Sequence, residues 1–442
     1  MALNPNTAAS LRPLKIMIVD DSAVVRGLIS RWLEHEPDMV LAGLAIDGAK
    51  GVEKVKEIQP DVLILDIEMP NMGGLEALPK LLAAKPGLKV LMASTLTTRG
   101  ANVTLRALEL GAADFIPKPD STRIGGADGF RTELLTKIRA LCGRTRAWPL
   151  QTPETPAAQN LPGSQAAQNL PGSQAAQNLP GPHAAQNLNV SPTMGHSKPS
   201  PSGTSYASSP AQRPTSAPQA SPLAAPNILR PIAPVPAPVI PLRPRAGPKR
   251  IDVLLVGAST GGPPALRNFL LGLGNEWKIP VLIVQHMPAT FTTILAEHLD
   301  KALPQKVQEA KDGMLIESRN IYIAPGDFHM TIKNDPICKQ IKLDQGPQVN
   351  WCRPAVDPLF KSAADIYGNH ALAVVLTGMG HDGRDGAAAL QGVNGTVMVQ
   401  DEASSVVWGM PGAVAEAGYA EYIKPIDGLA QACKAFARGE RP

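Results

Sequence analysis

Twice along its 442 residues the chain alternates short apolar runs with amphipathic stretches of helical period. The first set is KIMIV (15–19), VLAGLA (40–45), DVLIL (61–65), KVLMA (89–93) and DFI (114–116). The second is IDVLLV (251–256), PVLIVQ (280–285), NIYIA (320–324), ALAVVL (371–376) and GTVMVQ (395–400). Stretches such as AVVRGLISRWLEHE and VTLRALELG lie between the runs of the first set. Continuous apolar strands separated by helices require a parallel sheet covered on both faces. The expected fold class is therefore α/β, with two doubly wound parallel-sheet domains. Helices are predicted to start after Gly262, near Thr290, near Val356 and after Asp382, and HMTIKND with KQIKLD reads as a hairpin. Ligands in such folds bind beyond the carboxyl ends of the strands.

Between the two sets the composition changes. Residues 149–248 hold 22 of the 44 prolines, and AAQNLPGSQ recurs every nine residues from 157 before it decays. Such a segment buries too little surface to offset its ordering entropy. The predicted organisation is a first domain at 14–143, a flexible disordered linker at 144–250 and a second domain at 251–438. Residues 147–250 carry a net charge of +6, so the total of +4 leaves −2 for the rest. Slightly acidic folded parts argue against nucleic-acid binding. No apolar run reaches the length of a membrane span, and the start lacks the apolar region of a signal peptide. The four cysteines form no CxxC pair, which fits a reducing cytoplasm and argues against a zinc site.

Asp20 and Asp21 follow the first apolar run, and Asp66 follows the third. In a parallel sheet these carboxylates converge, and a hard cation such as Mg²⁺ is their natural compensation. Lys118, in FIPKPD, and Ser94, in AST, follow later strands at the same edge. A lysine and a hydroxyl beside a metal suit a phosphoryl group, with Asp66 as its acceptor. The bland alternative is a set of solvated strand caps. DDS, LDIEMPNMGG, AST and KP in this order resemble the receiver domain of two-component response regulators. The resemblance implies a flavodoxin-like strand order and Asp66 as the phosphorylation site. It also implies Asp20, Asp21, Asp66 and the Glu68 backbone carbonyl as Mg²⁺ ligands, Ser94 as switch hydroxyl and Lys118 as phosphate partner. Phe115 stands where receivers usually carry a rotating aromatic.

In the second domain, GASTGG (257–262) follows a strand. It fails the dinucleotide pattern, because Ser259 replaces the second glycine, and it lacks the Gly-Lys-Ser/Thr of a P-loop. A strand–turn–helix junction exposes the Ser259 hydroxyl beside backbone N–H groups, as a nucleophile requires. His286, at the end of the next strand, is the natural base, with His298, His329, His370 and His381 as alternatives. Asp382 in LTGMGHDGRDG is the orienting acid, with Asp385 as a weaker rival. By position alone, a Ser259–His286–Asp382 triad competes evenly with a glycine-rich structural turn.

GASTGG, IVQHMP, IYIAPGDFHM, RPAVDPLF, VLTGMGHDG and GMPGAV together resemble the catalytic domain of chemotaxis-type protein-glutamate methylesterases. The resemblance implies a Rossmann-like catalytic domain in which Ser259 is the nucleophile, His286 the base and Asp382 the acid, with Met379 and Thr260 nearby. His381 replaces the small residue common in that turn. It implies phosphorylation-activated hydrolysis of glutamate γ-methyl esters on chemoreceptors, without a cofactor for the ester step, and deamidation of receptor glutamines. The implied partners are methyl-accepting chemoreceptors and a chemotaxis histidine kinase, in the cytoplasm. In the family the receiver packs over the catalytic cleft, and a long linker weakens such inhibition only gently. The alternatives are a response regulator with another output and a non-catalytic adaptor.

Overall fold

The computed structural model describes residues 12–118, 126–143, 242, 250–335 and 338–442. The repeat and nearly all of the predicted linker, 144–250, lie outside the described residues.

The N-terminal part runs β1 (Leu14–Val19), α1 (Ala23–Glu34), β2 (Met39–Ala45), α2 (Gly48–Ile58), β3 (Val62–Asp66), α3 (Gly74–Ala84), β4 (Lys89–Ser94), α4 (Thr98–Glu109), β5 (Asp114–Pro117) and α5 (Gly126–Leu141). Its five strands form a parallel sheet of order β2-β1-β3-β4-β5. Polar caps start the helices: Ser22, Asp47 and Thr97 accept hydrogen bonds from the N–H groups of Val25, Lys50 and Gly100, satisfying donors that the first helical turn leaves open.

The C-terminal part runs β6 (Val253–Ala258), α6 (Gly262–Leu273), β7 (Val281–Gln285), α7 (Ala289–Ala302), β8 (Lys306–Glu309), β9 (Asn320–Ile323), β10 (His329–Asn334), β11 (Lys339–Asp344), α8 (Val356–Tyr367), β12 (Ala371–Val375), α9 (Arg384–Gly392), β13 (Thr396–Gln400), α10 (Met410–Glu416), β14 (Tyr422–Lys424) and α11 (Ile426–Ala437). Seven strands form a parallel sheet of order β14-β13-β12-β6-β7-β9-β8, and β10 pairs with β11 as the predicted hairpin. Every residue of β6, β7, β12 and β13 is buried, which is why these strands read as unbroken apolar runs. The alternation missed β8 and β14. One reads KVQE at a sheet edge and the other is three residues long, so neither carries an apolar signal.

The larger sheet reverses direction at β6. The next strand, β7, lies on one side of it, and β12 lies on the other. The carboxyl ends of these three strands bound the crevice where doubly wound sheets place their ligands. Gly257, near the end of β6, faces α8: a Cβ there would meet the Val356 methyls at 2.7 and 2.8 Å. Both backbones are fixed, and valine is stiff. Gly257→Ala is therefore expected to cost about 1–3 kcal/mol and to lower the thermal midpoint of the chain. An unchanged midpoint would show that the crevice wall is soft.

Candidate active site and phosphoacceptor site

In the smaller sheet, Asp20 follows β1 and Asp66 ends β3, both buried. Carboxylate oxygens of Asp20, Asp21 and Asp66 all lie within 4.8 Å of one another. Lys118 Nζ, just past β5, reaches Asp66 Oδ2 at 2.7 Å and Asp20 Oδ2 at 3.2 Å. Burial raises the Asp66 carboxyl above its ordinary value, with Asp20 adding to the rise and Lys118 opposing it. Asp20 Oδ2 is buried, and the Lys118 ammonium is the cation that meets it. Three clustered carboxylates, two of them buried, are hard oxygen ligands that fit a divalent cation of the Mg²⁺ kind. The Glu68 side chain turns away to Arg99, 3.9 Å off. Ser94 Oγ is buried and accepts from Thr104 Oγ1 of α4 at 2.7 Å.

In the larger sheet, Ser259 leaves β6 in a turn closed by Gly262 N–H donating to its carbonyl at 2.7 Å. Gly261 makes the turn possible: its φ of +73° is left-handed, a region that side chains disfavour. The buried Gln285 amide also donates to the Ser259 carbonyl, at 2.9 Å, and so ties the turn to β7. His286 comes next in the chain and shares a cavity with Ser259. Its Nε2 lies 2.8 Å from Asp382 Oδ2, and its Nδ1 lies 3.5 Å from Cys352 Sγ. Among the described residues, neither ring nitrogen bonds to the Ser259 hydroxyl. Of the two hydrogen bonds that the expected triad needs, the described residues form the one between His286 and Asp382.

Asp382 is fixed from α8. The N–H groups of Val356 and Asp357 donate to its carboxylate at 2.6 and 3.2 Å, and the Asn350 amide donates at 2.9 Å. Asp357, in the first turn of α8, returns the arrangement. It accepts from Gly383 N–H and Gly386 N–H at the start of α9, at 3.0 and 2.7 Å, and from Asn350 at 2.8 Å. Two helix N-termini thus exchange carboxylates, and each positive end holds the acid of the other's segment. Burial works to raise both groups. The His286 ring and these donors outweigh it for Asp382, which is held at about 2. Asp357 rises, through burial and the nearby Asp382 charge.

The remaining histidines do other work. His370 sits 3.5 Å from Asp252 at the opposite sheet edge, and buried His329 accepts from Ala355 N–H and bonds Pro347 O. Asp385 pairs with Arg384 at the surface, and His381 makes no side-chain hydrogen bond among the described residues. His298 bonds Asn102 of α4 at 3.0 Å. Asn350, Asp357 and Gln285 went unrecognised in the sequence. Asp357 stands in RPAVDPLF and Gln285 in IVQHMP, but nothing in their spacing reveals whose carbonyls and carboxylates they would meet.

The two sheets meet across this cavity. Thr260 Oγ1 donates to Asp114 Oδ2 of β5 at 2.7 Å, and Lys137 of α5 pairs with the same oxygen at 2.8 Å. Phe115 stacks on Phe291 of α7, with centroids 4.5 Å apart and rings 7° from parallel. Val407 packs with Ala113, Ala140 and Leu141, and Met379 joins that cluster.

The family model described as response regulator receiver domain matches residues 16–125, and that described as CheB methylesterase matches residues 254–433. A relative from Caulobacter vibrioides, named protein-glutamate methylesterase/protein-glutamine glutaminase 2, is 46% identical over 418 residues, covering 94% of this chain and 96% of its own. One from Maricaulis maris, named protein-glutamate methylesterase/protein-glutamine glutaminase, is 43% identical over 429 residues, covering 95% of each chain. One from Rhodopseudomonas palustris, named for a group 2 operon, is 43% identical over 444 residues, covering 100% of this chain and 99% of its own. The chain belongs to the protein-glutamate methylesterase/protein-glutamine glutaminase family. Among the described residues, no helix is long and apolar enough to cross a membrane.

The site makes stability depend on pH. Burial works to strip the proton from His286, but the Cys352 sulfur and the Asp382 carboxylate outweigh it and hold the ring up at about 10, against an ordinary 6.5. A proton bound more tightly in the folded state stabilises fully below the ordinary value and is lost as pH rises through the folded one. The thermal midpoint is therefore expected to fall between pH 6.5 and about 10, and His286→Gln to flatten that fall. Parallel declines in both chains would show that the ring does not hold its proton.

Proposed function

We propose that this chain is a phosphorylation-activated serine hydrolase that cleaves glutamate γ-methyl esters on chemoreceptors, releasing methanol, and deamidates receptor glutamines. Its substrates are methyl-accepting chemoreceptors, its phosphodonor is a chemotaxis histidine kinase, and it acts in the cytoplasm. The proposed domains are a receiver at 14–143, a linker at 144–250 and a methylesterase domain at 251–438. The observation that carries the reading is the His286–Asp382 hydrogen bond of 2.8 Å at the strand edge beside Ser259, in a chain whose full-length relatives bear that enzyme name.

In this reading Ser259 attacks the ester carbonyl while His286 takes its proton. Methanol leaves with that proton, and water then hydrolyses the acyl-enzyme by the same route. Asp382 holds the ring and its positive charge. The first turn of α6 cannot supply the oxyanion donors, because Pro263 and Pro264 lack an N–H and those of Gly262 and Ala265 are bonded to the Ser259 and Gly261 carbonyls. That role would fall to the N–H groups of the turn before it, at Thr260 and Gly261. In the receiver, Asp20, Asp21, Asp66 and the Glu68 carbonyl would hold Mg²⁺, which neutralises the incoming phosphoryl group. Asp66 would accept that group, with Lys118 and Ser94 binding it.

The regulation follows from the contacts. Asp114, Phe115 and Lys137 face the cavity that holds Ser259 and His286, so a docked receiver restricts entry of a protein substrate. Lys118 directly follows the strand that carries Asp114 and Phe115. A phosphoryl group on Asp66 takes over Lys118, shifts β5 and loosens the dock.

Ser259→Ala is expected to lower methanol release from methylated receptor membranes by on the order of 10⁴-fold or more. Asp66→Asn should take up no phosphate from a small phosphodonor and gain no activity from it. Retained release by the first variant, or activation of the second, would overturn the corresponding role. His298→Ala removes a bond between α4 and α7 away from the reacting groups. It should raise activity without phosphodonor by roughly two- to tenfold, the worth of one hydrogen bond. No rise would mean that this contact does not hold the receiver down.

A further inference from the structure

Cys352 ends a tight turn beside the catalytic base. Val349 and Cys352 exchange two backbone hydrogen bonds, of 2.9 and 3.1 Å. Asn350 and Trp351 between them are left-handed, with φ of 51° and 64°. The turn leaves Trp351 exposed and sends its neighbours inward, to two points on one hydrogen-bond chain. Asn350 reaches Asp382, and Cys352 reaches the His286 ring.

Both ring nitrogens are thereby engaged, Nε2 by Asp382 at 2.8 Å and Nδ1 by Cys352 at 3.5 Å. A general base must offer one free nitrogen to the hydroxyl it deprotonates. The two partners are unequal. Asp382 is buried, charged, and held by three further donors. The thiol contact is single and long, from a residue that is only partly buried, and sulfur is a weak hydrogen-bonding group. When the ring serves Ser259, it is the Cys352 contact that gives way.

We propose that Cys352 is a positioning residue that competes with Ser259 for Nδ1 of His286, so that the base must be released from the thiol before ester cleavage begins. This rests on the reading of Ser259 as nucleophile and His286 as base. The competition is strongest when the ring carries both protons, because it then has no lone pair to offer the Ser259 hydroxyl. The tightly held proton on His286, retained despite burial, fits this arrangement.

The test compares the wild-type chain with Cys352→Ala, Cys352→Val and Ser259→Ala, all full length. The readout is the second-order rate at which a small fluorophosphonate modifies residue 259, followed by mass spectrometry. Removing the thiol should raise that rate by roughly three- to tenfold, the release of one weak hydrogen bond. Valine is close to cysteine in volume and bonds to nothing, so it must behave as alanine does and serves if alanine fails to fold. A residue that only packs would leave the rate unchanged or lower it, and either result overturns the proposal. Equal labelling of the whole chain in wild type and Ser259→Ala, with residue 259 unmodified in the wild type, would instead overturn the nucleophile, and with it this competition. Cys352→Ser supplies rescue: its hydroxyl bonds Nδ1 again and should return the rate to the wild-type level or below.

Discussion

Everything at the larger site depends on two carboxylates held by each other's helices. Asp382 precedes α9 but is bound by the N-terminus of α8, and Asp357 begins α8 but is bound by the N-terminus of α9. Asn350 bridges them with 2.8 and 2.9 Å bonds. Buried carboxylates at this spacing repel each other and lose their hydration. Six donors and two helix ends offset that cost. The result is a rigid acid at a fixed place, and His286 takes its orientation from it.

The sequence made the chemistry of the strand ends readable and left its supports hidden. Ser259, His286, Asp66 and Lys118 each follow a buried apolar run, and topology alone brings such positions to one edge. Asp382 was reachable because its glycine-rich turn also follows a strand. Asn350, Cys352 and Asp357 come from the segment after the β10–β11 hairpin. No period links that segment to β7 or β12, so its return to the base is visible only in three dimensions. The Thr260–Asp114 bond spans 146 residues and the whole intervening segment, beyond the reach of any local pattern. Thr260 reads in sequence as part of a turn; in the structure its hydroxyl is committed to the other sheet.

The Ser259–His286 bond is the sharpest difference between expectation and structure. Position placed both groups at one edge, and they do line one cavity. What position could not supply is the ring's other partner. Cys352 occupies the nitrogen that Asp382 does not.

The contact between the two domains is mixed, with α4 packed on α6 and α7, Val407 among Ala113, Ala140 and Leu141, and polar and aromatic pairs beside them. Asp114 is shared by Lys137 and Thr260, and one aromatic pair lies flat beside them. If Ser259 acts on a protein segment as proposed, that segment and the domain that covers Ser259 cannot both be present. By mass action, each therefore weakens the other's hold. On the proposed reading, the substrate itself becomes an activator: a high local concentration of esterified sites draws the receiver off even before any phosphate arrives.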